Sequence, residues 1–287
     1  MKITNKTGLP QQIVNICNQD DGHAPKENIY HATELLKPTN MLMLERLNYN
    51  DLEMDTADAL WLIFGKAVHS IMEAGTKANN QEAEKLITRQ FDDNHLIVGR
   101  LDLYDKAHKN IVDWKTATVT KVIKNDFNEY KLQGLIYNWI LNNQAKTLKF
   151  YMFLKDWSKA QFRLASLRGE YYPPYAIYTW QYTITKDDNE FIENYIKNKL
   201  KEIDEYLKTP PGACSKEERW ESDTVYAVMK EGRKTALKLF NNKEEAEEMI
   251  KNTPGGYLEI REGVSRRCLD YCLVKNYCSF YKNKYNN

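Results

Sequence analysis

The chain is expected to adopt a mixed α/β fold, a mixed β-sheet flanked by helices, with a helical, cysteine-containing C-terminal extension. Apolar residues recur at three- and four-residue steps through 57–75, the period drops to two between Leu86 and Thr118, and helical spacing returns over 126–142 before a further strand at 146–154. The order helix, hairpin, helix, strand suits a sheet with helices on its faces.

Taken in order, residues 1–56 read as an N-terminal arm with short helices. Polar sequence with turns at Asp20-Asp21-Gly22 and Ala24-Pro25 surrounds a short amphipathic piece at 11–17. A turn of helix at Thr33-Glu34-Leu35-Leu36 is stopped by Pro38, and Met41 to Leu47 begins another. The core is expected over 57–207. In its first helix Leu60, Phe64, Ala67 and Ile71 form a stripe flanked by Trp61, Val68 and Met72. This predicts a mostly buried helix, with His69 at the stripe's edge one turn after Gly65. Strands follow through Leu96 and Val98, Leu101 and Leu103, then Ile111, Val112 and Trp114. Phe127, Tyr130, Gly134, Tyr137, Trp139 and Leu141 place the next helix, and Thr147 to Leu154 the next strand. A polar, aromatic stretch after Asp156 ends at Tyr171-Tyr172-Pro173-Pro174, before a strand at 177–184 and a charged helix at 188–207. Thr209-Pro210-Pro211-Gly212 marks a boundary. Over 208–287 helices are expected at 225–240 and 243–250, with a turn at Pro254-Gly255-Gly256 and a cysteine-rich tail.

With 42% hydrophobic and 28% charged residues in 287, the composition is that of a folded, soluble protein and excludes disordered or collagenous classes. The formal net charge of +1 offers no global attraction for nucleic acid, so any such surface must be local. No apolar run suits a secretory leader or approaches the roughly 20 residues that span a bilayer, which predicts a cytoplasmic protein with no membrane partner. Five cysteines, an odd number in a reducing compartment, point to metal binding, reactivity or burial rather than a disulfide framework.

The chemistry concentrates in one hairpin. Val98-Gly99-Arg100-Leu101-Asp102-Leu103-Tyr104-Asp105 and Asn110-Ile111-Val112-Asp113-Trp114-Lys115-Thr116 flank the polar loop Lys106-Ala107-His108-Lys109. With that loop, facing residues sum to 215 and Asp102 lies opposite Asp113. Alternation puts Asp113 and Lys115 on one face and sends Val112 and Trp114 to the core with Leu101 and Leu103. Opposed carboxylates repel unless a cation compensates them, and a hard divalent ion, Mg2+ or Mn2+, fits best. An Asp-x-Lys on a hairpin is by itself more often solvated charge. The register, His69 upstream, the same-face pair Gln133 and Tyr137 downstream, and their order together argue for a site.

As a set, His69, Gly99-Arg100-Leu101-Asp102, Asp113-Trp114-Lys115 and Gln133-x-x-x-Tyr137 resemble the successive motifs of RecB-like nucleases, phage-type members included, in the PD-(D/E)XK superfamily. The resemblance covers roughly residues 60–155 and implies a restriction-endonuclease-like core over 57–207. It implies that Asp102, Asp113 and the Trp114 carbonyl ligate the metal with His69 as a further ligand, that Lys115 positions or activates the attacking water, and that Gln133 and Tyr137 touch the site or the DNA strand. The activity implied is metal-dependent hydrolysis of DNA phosphodiesters, as an exonuclease in recombination, repair or replication. The rival from another class is a catalytically inactive DNA-binding scaffold on the same fold, against which the intact Asp102, Asp113 and Lys115 speak. A recombinase or single-strand-binding partner and a homo-oligomer are compatible with the resemblance, as is a host cytoplasm for a phage-encoded chain.

In the tail, Cys268, Cys272 and Cys278 form C-x3-C-x5-C, a spacing that suggests a metal. Some RecB-like nucleases hold an iron–sulfur cluster with three C-terminal cysteines and one upstream of the core. The corresponding stretch here, Lys37-Pro38-Thr39, has none, which leaves Cys214, Cys17 or a non-cysteine as the fourth ligand. Cys214 is favoured because it opens the region that the tail closes, with a [4Fe-4S] cluster preferred and Zn2+ its direct competitor. Unrelated thiols are the plain alternative, and Cys17 reads as a core thiol. Arg163, Arg168, Tyr171 and Tyr172 are weighed as a DNA channel against a surface loop. Lys230, Arg233, Lys234 and Lys238 are read as a solvated helical stripe, and His23, His31, His95 and His108 receive no role.

Overall fold

Strand-forming sequence from Gln81 to Ala117 builds the sheet on which the N-terminal unit is laid. The computed structural model describes residues 1–19, 24–76 and 80–285; the Asp20-Asp21-Gly22 turn and His23 lie outside the described residues. The chain divides into two units, Met1–Pro210 and Pro211–Asn287.

The first unit runs β1 (Lys2–Thr4), α1 (Gln11–Cys17), β2 (Ile29–His31), α2 (Thr39–Leu47), β3 (Glu53–Asp55), α3 (Leu60–Gly75), β4 (Gln81–Asp92), β5 (His95–Asp105), β6 (Asn110–Ala117), α4 (Val119–Ile123), α5 (Asn128–Ile140), β7 (Thr147–Leu154), α6 (Lys159–Arg168), β8 (Ile177–Thr183) and α7 (Lys186–Lys208). Its six-stranded mixed sheet has the order β2-β5-β6-β7-β8, with β4 also paired to β5. β6 and β7 are parallel along their whole length, from Asn110 beside Thr147 to Ala117 beside Leu154. α5 packs across the sheet and against α7. Trp139, Phe150, Leu148, Met152, Ile192 and Ile196 are almost wholly buried in this core. The start of α7 is fixed by a capping box in which the Thr185 and Asp188 side chains each take the other's backbone N–H.

Three expectations are corrected. The α3 helix forms but is not mostly buried: Val68 alone is fully covered, while Leu60, Trp61 and Ile71 are 59%, 54% and 64% exposed. Apolar residues run consecutively from Leu60 to Phe64 and so wrap the helix, and one contact face cannot cover a cylinder. The stretch after Asp156 contains α6, whose Lys, Ala, Gln, Leu and Arg residues favour helix and which Gly169 ends in the left-handed region at φ 67°. The Asp113 side of β6 is no open face. Ile111 and Ala117 share its alternation and belong to the main core, whereas Leu103 and Val112 are buried outside that cluster. A central strand next to a parallel neighbour is covered on both faces.

The second unit contains β9 (Val225–Lys230), β10 (Lys238–Phe240), α8 (Lys243–Lys251), β11 (Gly256–Arg261) and α9 (Ser279–Tyr285), with β9 between β10 and β11 in an antiparallel sheet. Helices at α8 and α9 accompany the cysteines, but the helix expected over 225–240 is instead a pair of strands. Val225, Tyr226 and Val228 favour strand, and Gly232, at φ 78°, supplies the turn. Lys230, Arg233, Lys234 and Lys238 therefore lie around a turn and form no helical stripe. Among the described residues, no helix is long and apolar enough to cross a membrane.

Candidate active site

The site forms where β5 changes partner. Along one edge β5 has β4 for most of its length. Along the other it pairs with β2 through Leu96 to Val98, then with β6 through Leu103 to Asp105. Gly99-Arg100-Leu101-Asp102 falls between these ladders, in a fork between β2 and β6. The β5–β6 register is Leu103 to Val112, Tyr104 to Ile111 and Asp105 to Asn110, the expected sum of 215 around the loop Lys106 to Lys109. The ladder stops one step short of Asp102 and Asp113. There the Trp114 N–H, left without a strand partner on that side, donates to Asp102 Oδ2 at 2.7 Å. The hydrogen bond holds the Asp102 carboxylate, 9% exposed, against β6.

Two helices close over the fork. α3 brings His69, whose Nδ1 is 3.2 Å from Asp102 Oδ1 and 3.8 Å from Glu84 Oε1. The hydrogen bond to Asp102 raises the His69 pKa against the opposing effect of burial. α5 brings Gln133 and Tyr137, both buried, with Gln133 Nε2 donating to the Tyr137 hydroxyl at 2.9 Å. Gly99 admits this helix, because a Cβ there would stand 2.8 Å from the Tyr137 ring. Burial, then the charge of Asp113, raises the Tyr137 pKa, so the phenol stays a neutral hydrogen-bonding group.

Asp113 is 2% exposed, and its Oδ2 lies 2.6 Å from Lys115 Nζ as an ion pair. That oxygen is buried and has no partner of hydrogen-bonding geometry. Burial pushes the carboxyl up to about 6, with Lys115 opposing and Asp102 reinforcing the shift. A buried acid in that position is stabilised by added positive charge. Tyr130, beneath the Lys115 ammonium at 5.5 Å, is pushed up to about 12 by its burial.

Glu84 is the residue that reading the sequence missed. It sits on β4 directly across from Asp102, between the pairs Ala83 with Leu103 and Lys85 with Leu101. Its backbone has φ 47°, a left-handed conformation rare in a non-glycine residue and costly inside a strand. Burial, then the charge of Asp102, raises its pKa. Ligand atoms of His69, Glu84 and Asp102 lie within 4.8 Å of one another, a separation at which one cation can be shared. Among the described residues Asp113 is outside that trio, held by Lys115 instead. The trio's nitrogen and carboxylate donors and the under-partnered Asp113 oxygen suit a divalent cation. The only local signal for Glu84 is its offset from Asp102 across the β4–β5 turn, which a register slip between Gln90 and Asp92 obscures.

In the second unit none of the cysteines forms a disulfide. Cys268 and Cys278 are buried, while Cys214 and Cys272 are half-buried. Burial raises the Cys268 thiol pKa, and the charges of Cys214 and Cys278 add to this, so those two are its electrostatic neighbours; Arg219 opposes. Among the described residues the cysteines form no trio as close as that of His69, Glu84 and Asp102. Cys17, on α1, is half-buried rather than a core thiol. Arg163 and Arg168 fall on α6, and Tyr172 accepts the Ser158 N–H. His95 and His108 pair with Asp92 and Asp105, three residues from each.

No family model matches the chain, and no curated protein does. Among solved structures it is similar in part to a protein designated SSO0001, at 18% identity and TM-score 0.47 over 67% of this chain and 82% of that one. It is also similar to a phage-related exonuclease from Haemophilus somnus 129PT, at 12% identity and TM-score 0.41 over 64% and 96%. A third is an alkaline exonuclease, LHK-Exo, from Laribacter hongkongensis, at 12% identity and TM-score 0.39 over 63% and 92%.

Proposed function

We propose that this chain is a metal-dependent deoxyribonuclease, an exonuclease that hydrolyses DNA phosphodiesters in recombination, repair or replication in the cytoplasm. The observation that supports this most is the convergence of His69, Glu84 and Asp102 at the fork between β2 and β6, beside a buried Asp113–Lys115 pair. Three carboxylates, Glu84, Asp102 and Asp113, are not gathered around one lysine in a half-buried fork for stability alone, since each costs desolvation and repels the next.

In this reading His69, Glu84, Asp102, Asp113 and the Trp114 carbonyl hold Mg2+ or Mn2+. When bound, the cation polarises the scissile phosphate and makes water a better nucleophile. Lys115 orients the attacking water and offsets charge growing on the phosphate oxygens. Asp102, tied to the Trp114 N–H, fixes the spacing of the two strands as charge redistributes. Gln133 and Tyr137 present a neutral hydrogen-bonding wall beneath Gly99, able to hold a phosphate or sugar oxygen without adding charge.

The same proposal extends to the second unit, where Cys214, Cys268, Cys272 and Cys278 hold a [4Fe-4S] cluster. The C-x3-C-x5-C spacing with Cys214 opening the same unit supports a metal site, for which Zn2+ is the direct competitor. A visible absorbance band in anaerobically purified protein supports the cluster; colourless protein with stoichiometric zinc overturns it.

The test is digestion of end-labelled single- and double-stranded DNA with Mg2+ or Mn2+. Asp113→Ala is expected to lower the rate at least about a thousandfold, the scale of losing a group that stabilises the transition state. If native protein and variant both bind DNA and neither cuts with any cation, the inactive-scaffold reading replaces this one.

A further inference from the structure

α3 carries more than His69. Trp61, Gly65 and His69 are four residues apart and form one ridge of the helix. Two ends of this ridge are anchored. At one, His69 meets Asp102; at the other, Lys155 Nζ stands 3.8 Å from the centre of the Trp61 ring. Lys155 is placed by its backbone N–H bond to the carbonyl of Ala117, at the far end of β6. The eight residues from Trp61 to His69 span about 12 Å of helix, and the four from Ala117 to Asp113 about 13 Å of strand. Helix ridge and strand thus run side by side for the same distance, from the carboxylates to the Trp61–Lys155 pair.

Between those ends the wall is low. A Cβ on Gly65 would meet nothing within 4 Å. Trp61 is 54% exposed, and Phe64, edge-on to it at 6.5 Å, is 41% exposed. Cations are near: Lys115 and Lys121 stand over the Tyr130 ring at 5.5 and 4.5 Å, and Lys155 stands over Trp61. Neither Lys121 nor Lys155 has a carboxylate partner among the described residues.

We infer that the Trp61–Lys155 pair is a nucleotide-binding subsite for a single DNA strand, stacking a base on the indole and holding its phosphate at the ammonium while the strand continues past Gly65 to the carboxylates. Exposed aromatic faces beside lysines not neutralised by a carboxylate are what a polynucleotide matches, because each nucleotide supplies a π-face and a negative charge at fixed spacing. A duplex does not fit this role, since its base faces are already stacked. The inference rests on the nuclease reading only for the identity of the place to which the strand leads.

The test is binding of fluorescein-labelled oligothymidylates of increasing length to the full chain, with calcium as the cation. Affinity of the native protein is expected to rise once the strand is long enough to reach from the carboxylates to Trp61. Trp61→Ala should lose that rise, weakening the longer oligomers roughly 5- to 100-fold. Trp61→Phe should keep most of it, and Lys155→Ala should weaken binding less at high salt than at low. Leu167→Ala, a truncation of an even more exposed apolar side chain on α6, is the unaffected control. Unchanged length dependence in Trp61→Ala overturns the subsite, as does a native oligomer that this variant dissociates, which would make the face a subunit contact. A strand bound through Trp61 but never cut would overturn the nuclease reading and leave the subsite standing.

Discussion

α5 buries eight consecutive residues, Gln133 to Ile140, whereas α3 fully buries only Val68, and both helices contribute side chains to one site. α5 is seated between the sheet and α7, so Gln133 and Tyr137 are held as firmly as the core itself. α3 is attached by a narrow stripe and by the polar contacts of His69. One wall of the site is therefore preorganised, and the other is free to adjust to what enters.

The same substitution on each helix measures that contrast. Ile136→Ala on α5 removes a wholly buried side chain and should cost about 2–5 kcal/mol in denaturant unfolding. Ile71→Ala on α3, 64% exposed, should stay within about 0.5 kcal/mol. Equal losses would break the comparison. Acid offers a second probe, because Lys131 of α5 is 2.8 Å from Asp188 at the start of α7. Although burial opposes it, hydrogen bonds from Lys131, Thr185 and Tyr182 lower the Asp188 pKa from 3.8 to about 2. A depressed pKa stabilises the fold above the unfolded value, and that stability fades as pH falls through the folded one. The contribution is about 2 kcal/mol, full above about pH 5 and lost toward pH 2. The stability gap between native protein and Asp188→Asn should close over that window; a gap independent of pH would sever α5 from α7 in this account. Glycine offers a third probe. Gly134→Ala would press on both methyls of the buried Leu148, at 2.7 and 2.9 Å, and should destabilise by at least about 1 kcal/mol. Gly65→Ala meets open space and should stabilise by about 0.5–1 kcal/mol. Melting temperatures shifting in the same direction would contradict the two-wall picture.

What could be read from the sequence divides along the same line. Strand alternation and a loop of defined length set the facing of Asp102 and Asp113, and both are local. α5 is visible from its spacing for the same reason. The exposure of α3 was not legible, because an apolar run says that a helix prefers cover, not that cover exists. The strands at Val225–Lys230 and Lys238–Phe240 are masked in the sequence because cations around a turn fall three and four apart and imitate a helical stripe. Glu84 escaped because its partner is reached only through a second hairpin with an irregular register.

The left-handed backbone at Glu84 sets two demands on one position that no single residue meets. Glycine would relax the chain, and only an acid supplies a third carboxylate. Such a position is expected to hold one of those two solutions and few others. Among diverged relatives, then, an acidic residue here should mark lineages that keep the third carboxylate in use, and a glycine those that have given it up for a more comfortable strand.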